Sequence, residues 1–380
     1  MILAALHCPH RPPCPGCPRF GQPGIAAPAA AQLSALASRQ GLAPPTVRTG
    51  NELGYRHRAR LAFRGRAGSP KIGIFQEGTH QIVDIPDCAV HHPKINEAAR
   101  EIKAELKTIG THPYSDQAHA GFVRYLQLVV ERSSQRIQAT LVTNSSEFDS
   151  RATTVCDALQ RRLEPLLQGL FWNGNPERHN AILGPHWRHV AGAPATEEHL
   201  GGARVFFPPG AFGQSNLPLF DGVLSQIHAW VADATRITEL YCGTGALGLG
   251  LAHQGKQITF NEIESASLQG LHLGIAALPE DARARVRVLP GSADQIAGEA
   301  CQDADCVIAD PPRKGLDAGV LAALERHRPQ RFLYVSCGLD SFLRDAELLL
   351  QGSYRLTALE AYALFPFTDH VETLARFDRK

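Results

Sequence analysis

The sequence predicts an α/β protein whose C-terminal part is a doubly wound, mostly parallel sheet, preceded by a smaller region of mixed α and β structure. Three observations carry this. From about residue 214, short apolar strands alternate with helical stretches, the pattern of βαβ units. A glycine-rich loop, Gly243-Thr-Gly245-Ala-Leu-Gly248, joins one of those strands to a helix. Before about residue 208 the apolar runs are separated by glycine and proline breaks, as in β-rich structure.

Taken in order, residues 1 to 25 are rich in cysteine, proline and glycine and lack periodicity, as in a segment shaped by ligands rather than by a core. Residues 26–42 read as a short helix. RARLAFRG, KIGIFQE and HQIVDIPD, between 45 and 92, read as strands. Residues 93–110 look helical, 122–131 and 136–143 form a hairpin pair, and a helix follows near 150–168. After a helix near 217–232 come the strands ITELYC, QITFNE, RVRVLP, DCVIAD and RFLYVS, with helical stretches between them except between RVRVLP and DCVIAD. Two further strands, YRLTALEAYALF and HVETLARF, close the chain. This gives three stretches: 1–92, 93–212 and 213–380.

The 380 residues suffice for about two to three domains. A hydrophobic fraction of 44% is ordinary for a globular protein. No run of about 18 apolar residues is present, which argues against a spanning helix. MILAALHCPH turns polar too quickly for an export signal, so the cytoplasm is expected. The formal net charge of +1 does not advertise a nucleic-acid binder. Locally, however, Arg48 to Lys71 carries seven Lys or Arg against Glu52 alone. With Arg124, this segment is the expected phosphate-binding surface.

Glycines at 243 and 245 allow a tight turn and close approach of a ligand, and the helix that follows offers free N–H groups. Glu239 precedes the loop, and Glu262 ends the next strand about twenty residues on, where a carboxylate can take ribose hydroxyls. A dinucleotide site fits these residues as well. Farther on, Asp310-Pro-Pro-Arg313-Lys-Gly315 ends a strand in a carboxylate followed by an extended turn. Cys337 ends RFLYVS, and Glu372 begins the last strand. Taken singly, Cys337 reads as a buried thiol as readily as a nucleophile, and Glu372 reads as a surface carboxylate.

Together these segments closely resemble the uracil-C5 RNA methyltransferase family. Ser336-Cys337 with Arg344-Asp345 matches its nucleophile stretch, with Ser341 at the Thr position. Phe365-Pro-Phe-Thr-Asp-His-Val-Glu372 matches the segment ending in its general base. Asp310 to Gly315 matches its DPPR-x-G loop, and Phe212, Gln214 and Asn216 match its F-x-Q-x-N stretch. The resemblance implies a Rossmann-like S-adenosylmethionine-dependent domain with Cys337 and Glu372 as the catalytic pair. Uracil would be bound by Gln214, Asp310 and Phe212. The cofactor would be held by Gln214, Tyr241, Gly243, Gly245, Glu262 and Asp310. The chain departs from the family at Gly338 and Leu339, where Asn-Pro is usual, at Ala363, where Asp is frequent, and at Ser292, where an acid is frequent.

Nine cysteines without an export signal argue against a disulfide framework. Cys8-x5-Cys14-x2-Cys17 with a distant Cys88 offers four thiolates, suited to zinc or to an iron–sulfur cluster. The ribosomal-RNA branch of the family has this spacing with its fourth cysteine after Ile-Pro, as in Ile85-Pro-Asp-Cys88. The resemblance therefore implies a [4Fe–4S] cluster on Cys8, Cys14, Cys17 and Cys88, in an iron–sulfur segment ahead of a mixed α+β RNA-binding region. Cys8 stands too near the start for the extra β-barrel domain of some relatives. That compact form implies 23S rRNA as the substrate, with tRNA as the alternative, and a monomer with no membrane partner.

Overall fold

The computed structural model describes residues 6–380. The reading of the first ten residues as no export signal therefore falls partly outside the described residues. In chain order the strands are β1 (Thr46–Arg48), β2 (Arg58–Arg66), β3 (Ser69–Phe75), β4 (Ile82–Asp84), β5 (Val123–Val130), β6 (Ile137–Thr143), β7 (Leu167–Gly174) and β8 (His186–Gly192). There follow β9 (Thr196–Leu200), β10 (Ala203–Phe207), β11 (Arg236–Leu240), β12 (Gln257–Glu262), β13 (Val286–Pro290), β14 (Cys306–Ala309), β15 (Arg331–Ser336), β16 (Tyr354–Tyr362) and β17 (Glu372–Arg379).

The chain forms two compact units. One holds the described residues up to Pro18, Asn51–Glu198 and Pro208–Gly210; the other holds Arg19–Gly50, His199–Phe207 and Ala211–Lys380. The expected break at 92/93 falls inside the first unit, because β2 pairs with β5 in one sheet. The expected break at 212/213 lies next to Ala211, where the second unit resumes.

The first unit is a seven-stranded sheet in the order β4-β3-β2-β5-β6-β7-β8, antiparallel except between β6 and β7. Strand alternation sends Ala59, Leu61 and Phe63 of β2 into one core with Ile95, Ile102, Val155 and Leu159 of the helices Pro93–Thr108 and Ser150–Leu163. Two of the arginines expected at the phosphate surface, Arg64 and Arg124, turn inward, while Arg60 and Arg66 are exposed. Arg64 is buried, forks onto Asp116 at 2.7 and 3.0 Å, and lies over the rings of Phe75, Tyr114 and Tyr125. Arg124 is buried over Tyr114 and donates to the carbonyls of Asn175 and Glu177. Burial pushes Arg58 down to about 10. Aromatic faces, carbonyls and one carboxylate partner Arg64 and Arg124 inside the unit, with Arg124 Nε left without a partner, and composition alone does not reveal such contacts. Arg48 belongs to the other unit, where it pairs with Glu360.

The second unit is an eight-stranded sheet in the order β1-β16-β17-β15-β14-β11-β12-β13. Strands β11 to β15 run parallel, and β17 inserts antiparallel between β15 and β16. Cores on its two faces explain the unbroken apolar run of β14, since a parallel strand covered on both sides needs no polar face. The helix Ala27–Arg39 packs Leu33 and Leu36, almost fully buried, into one of these cores, and β1 extends the sheet along β16. Each such leucine contributes roughly 1.5–3 kcal/mol of burial. This segment therefore belongs to the fold of the far end of the chain. No helix among the described residues is long and apolar enough to cross a membrane.

Candidate active site

Both halves of the site sit at the edge formed by the C-terminal ends of the parallel strands, where open α/β sheets take their ligands, and Glu372 reaches that edge as the first residue of the antiparallel β17. After β11 the chain turns through Tyr241, Gly243 and Gly245, all at positive φ. At Gly245 a side chain is excluded twice over: φ is +79°, and a Cβ would lie 2.6 Å from Leu271. At Gly243 the space beside the backbone is open. The loop is held by Glu262, whose carboxylate accepts from the N–H groups of Gly243 at 2.7 Å, Ile263 at 2.7 Å and Glu264 at 2.8 Å. Tyr241 donates its hydroxyl to Asp317 at 3.0 Å, joining this loop to the one after β14. Glu239 is buried with one carboxylate oxygen unpartnered, and burial holds its carboxyl well above the usual range.

The second half is set by strand register. Ser336 of β15 pairs with Thr373 of β17, so Cys337 and Glu372 leave adjacent strand ends side by side. Ala309 pairs with Tyr334, which brings Asp310 to the same edge. Glu372 is fully buried with both oxygens unpartnered. Its carboxyl is pushed well up, first by burial and then by the charge of Asp310, with Arg313 opposing. Burial pushes Asp310 up to about 7. The Cys337 thiol is pushed up to about 11 by burial, then by Glu372 and Asp310, while the Arg313 guanidinium opposes the rise. The expected activated thiolate is therefore not a property of the protein alone, since its neighbours are acids.

Arg344 and Asp345 hold this geometry from behind. Asp345 is fully buried and accepts from Tyr334 Oη and Leu316 N–H, each at 2.8 Å, and from Arg344 at 2.7 and 2.9 Å. Arg344 also donates to the Lys314 carbonyl at 2.8 Å. Ser341 donates to the carbonyls of Arg313 and Gly338. A Cβ at Gly338 would lie 2.7 Å from the Arg313 carbonyl and from Ser341 Oγ, so the departure from Asn here leaves room for that contact. Asp345→Ala orphans two buried donors. It is expected to cost about 3 kcal/mol, read as a lower midpoint in denaturant unfolding.

Asn216 does not face the site. It caps the helix Leu217–Trp230 and donates to the Leu364 carbonyl at 3.2 Å, fastening its segment to the turn before Phe365. Phe212 is 65% exposed and so is not core, and Gln214 is half-buried beside it. The fold alone does not tie either residue to Cys337, Asp310 or Glu372 by a hydrogen bond or ring contact among the described residues.

Several residues have no assigned part in the sequence reading. Arg313 acts on the nucleophile position, although the DPPR stretch contains it, and also meets His370 at 3.3 Å. Ile263, directly after Glu262, is 62% exposed at the cofactor end. Arg19 donates to the Thr368 and Ile25 carbonyls, and Phe20 packs on Phe367. These contacts clamp the turn that delivers Glu372. A cleft of about 480 Å³ opens beside Cys337, walled by Arg313, Gly338, Val371 and the helix residues Ala29 and Gln32.

Within the first unit, Cys8, Cys14, Cys17 and Cys88 are free and half-buried. Cys17 is pushed up to about 11, first by burial and then by the charges of Cys88, Cys14 and Cys8. The Cys14 N–H donates to the His10 carbonyl at 2.8 Å, and the Asp87 N–H donates to His10 Nε2 at 3.2 Å, linking the two cysteine segments. No group of three or more His, Cys, Asp or Glu side chains among the described residues is placed to hold a metal ion.

Comparison with known proteins gives consistent results. The family described as tRNA (Uracil-5-)-methyltransferase matches residues 207–380. An uncharacterized RNA methyltransferase of Protochlamydia amoebophila is 35% identical over 99% of this chain and 98% of its own length. Another, from Nostoc, is 30% identical over 87% of this chain and 72% of its own length. Among solved structures, the Pyrococcus abyssi tRNA (uracil-54, C5)-methyltransferase in complex with S-adenosyl-L-homocysteine superposes with a TM-score of 0.75. It is 22% identical, covering 92% of this chain and 81% of that one, which is a likeness of fold.

Proposed function

The chain belongs to the uracil-C5 RNA methyltransferase family, and on that premise we propose that it methylates C5 of a uridine in 23S rRNA, with Cys337 as nucleophile and Glu372 as general base. The observation that carries the assignment is the β15–β17 register, which sets one thiol beside one buried, unpartnered carboxylate.

The chemistry asks for that pair. C5 of uracil is a poor nucleophile. Addition of Cys337 Sγ to C6 converts the ring to an enolate whose electrons reach C5. S-adenosylmethionine, when bound, supplies a methyl group on a sulfonium, and C5 takes it. The Glu372 carboxylate then removes the C5 proton. The electron pair left behind restores the C5–C6 double bond and expels the Cys337 thiolate. Asp310, titrating near neutrality, and Gln214 orient the uracil, and Arg313 offsets the negative charge around the thiol. The open space at Gly243, the exposed Ile263 and the carboxylate of Glu262 fit a nucleoside-bearing cofactor, together with Tyr241 and Gly245. Phe212 is exposed where a flat ring can pack on it. The uridine has to leave its stack to reach Cys337.

The test is methyl transfer from labelled S-adenosylmethionine onto unmodified 23S rRNA and tRNA in parallel, with mass spectrometry of the product. 5-Methyluridine in 23S rRNA supports the proposal. Label in tRNA alone moves the substrate, a reading favoured by the description of the matching family. No label in either RNA overturns the function.

For Cys8, Cys14, Cys17 and Cys88 we propose a [4Fe–4S] cluster. The donor set fits in kind, with four thiols and no carboxylate among them. Four thiols suit zinc as well, and the choice of a four-iron cluster rests on the resemblance of the Cys8-x5-Cys14-x2-Cys17 spacing and of Ile85-Pro-Asp-Cys88 to the ribosomal-RNA branch of the family. Anaerobically prepared protein is expected to carry about four iron atoms per chain, falling in Cys17→Ser. A colourless, iron-free, zinc-loaded and active preparation would exclude the cluster.

A further inference from the structure

We propose that β8, the exposed edge strand of the first unit, is a binding surface for single-stranded RNA, with bases stacking on Trp187 and His189 and the backbone meeting Arg188. The proposal rests on the reading of RNA as substrate and adds where a strand of it is held.

Three observations carry it. First, β8 pairs with β7 alone and ends the sheet, and its first four residues, His186, Trp187, Arg188 and His189, are all exposed. Edge strands are usually blunted by charge or covered. This one instead presents an indole, two imidazoles and a guanidinium. Second, two of those groups, His189 and Arg188, lie on rings of the unit. His189 sits opposite Phe171 and stacks on it, with centroids 4.8 Å apart and planes 24° apart. Trp187, opposite Asn173, projects on the same face two residues away. Arg188 points to the other face, where its guanidinium lies 4.7 Å over the Phe148 ring. Third, the stretch is poor in acids. From Glu177 to Gly192 the acid is Glu177 alone, against Arg178 and Arg188.

Aromatic platforms on one face of a sheet edge, with a guanidinium on the other, suit a single strand crossing that edge, since stacking tolerates any base and a cation takes a phosphate. A duplex asks for contacts spread over two grooves, and this strip is one strand long. A protein strand adding to the edge would use the backbone and gain nothing from the indole or the guanidinium.

The experiment measures affinity of the full-length protein for a labelled single-stranded uridine-containing oligonucleotide and for the substrate RNA, across a salt series. Trp187→Ala is expected to weaken both about tenfold. Arg188→Gln is expected to lower the slope of log affinity against log salt by about 0.7. Trp187→Phe, which keeps a ring, should restore most of the loss. S-adenosylmethionine binding and thermal melting should stay at wild-type values, and the turnover rate at saturating RNA should be unchanged. Wild-type affinity and slope in Trp187→Ala and Arg188→Gln, with methyl transfer intact, would overturn the surface while leaving the function standing. So would a Trp187→Phe variant as weak as alanine, or a protein partner whose binding these variants abolish while RNA affinity holds. A wild-type protein that neither binds nor methylates RNA would remove the functional reading and this surface together.

Discussion

Cys337→Ala is expected to lower methyl transfer by on the order of 10⁴-fold or more, while binding of S-adenosylmethionine and RNA persists. The reason lies in how the site is built. The groups acting on Cys337 are the carboxyls Asp310 and Glu372 and the guanidinium Arg313, and Cys337 is the thiol among them, with Arg313 having no lone pair to offer at neutral pH. The thiol is held up near 11 by burial and by the two acids, so the protein spends little time as thiolate before substrate arrives. Two readouts check the assignment. Denaturing gels of wild type with RNA should trap a slow-migrating covalent species that the alanine variant lacks. The Cys337→Ser variant, with a hydroxyl in place of the thiol, should also fail to form it. Activity retained in the alanine variant would remove the covalent mechanism altogether.

How far this is legible from sequence depends on range. The alternation of strands and helices after residue 214 fixes the parallel sheet, because each βαβ unit is local. The ends of the chemistry are legible as well: Cys337 and Glu372 stand at strand termini that the apolar runs RFLYVS and HVETLARF delimit. Their adjacency depends on β17 lying antiparallel to β15, a pairing that no local pattern announces. The same limit hides the place of the helix Ala27–Arg39. Its apolar face is readable, but its partner lies at the other end of the chain. Charge is the most misleading signal. Arg64 and Arg124 look like phosphate ligands in a linear count and are buried against rings and carbonyls in the fold. Conversely, HWRH at 186–189 is silent in the sequence, because only its place at a sheet edge makes it a surface. Electrostatic state is the last thing to emerge, since the rise in the Cys337 thiol comes from the burial and neighbouring charges that folding creates.

Glu372→Gln should separate the two halves of the reaction. Turnover is expected to fall about 10²–10⁴-fold, the usual worth of a general base, but the early steps should survive. Glutamine keeps the shape of the side chain and removes the charge that helps to raise the thiol. Burial still holds the thiol up, so its titration moves only part of the way back toward the ordinary value. The variant should therefore add to C6 at a lower pH than wild type does and then stall with the C5 proton in place. Methylated RNA linked to Cys337 should accumulate and be seen by mass spectrometry of the crosslinked peptide. In wild type the sign with pH is fixed by the same groups. Glu372 works as a carboxylate and its titration lies well above 4.5, Asp310 titrates near 7, and the thiol near 11. Raising pH from about 6 to 9 deprotonates base and nucleophile alike, so the rate should climb across that range. In Glu372→Gln the adduct-forming step should keep only the thiol's part of that climb. A variant that turns over normally, or that forms no adduct at any pH, would take the base role away from Glu372 and leave the carboxylate a structural group.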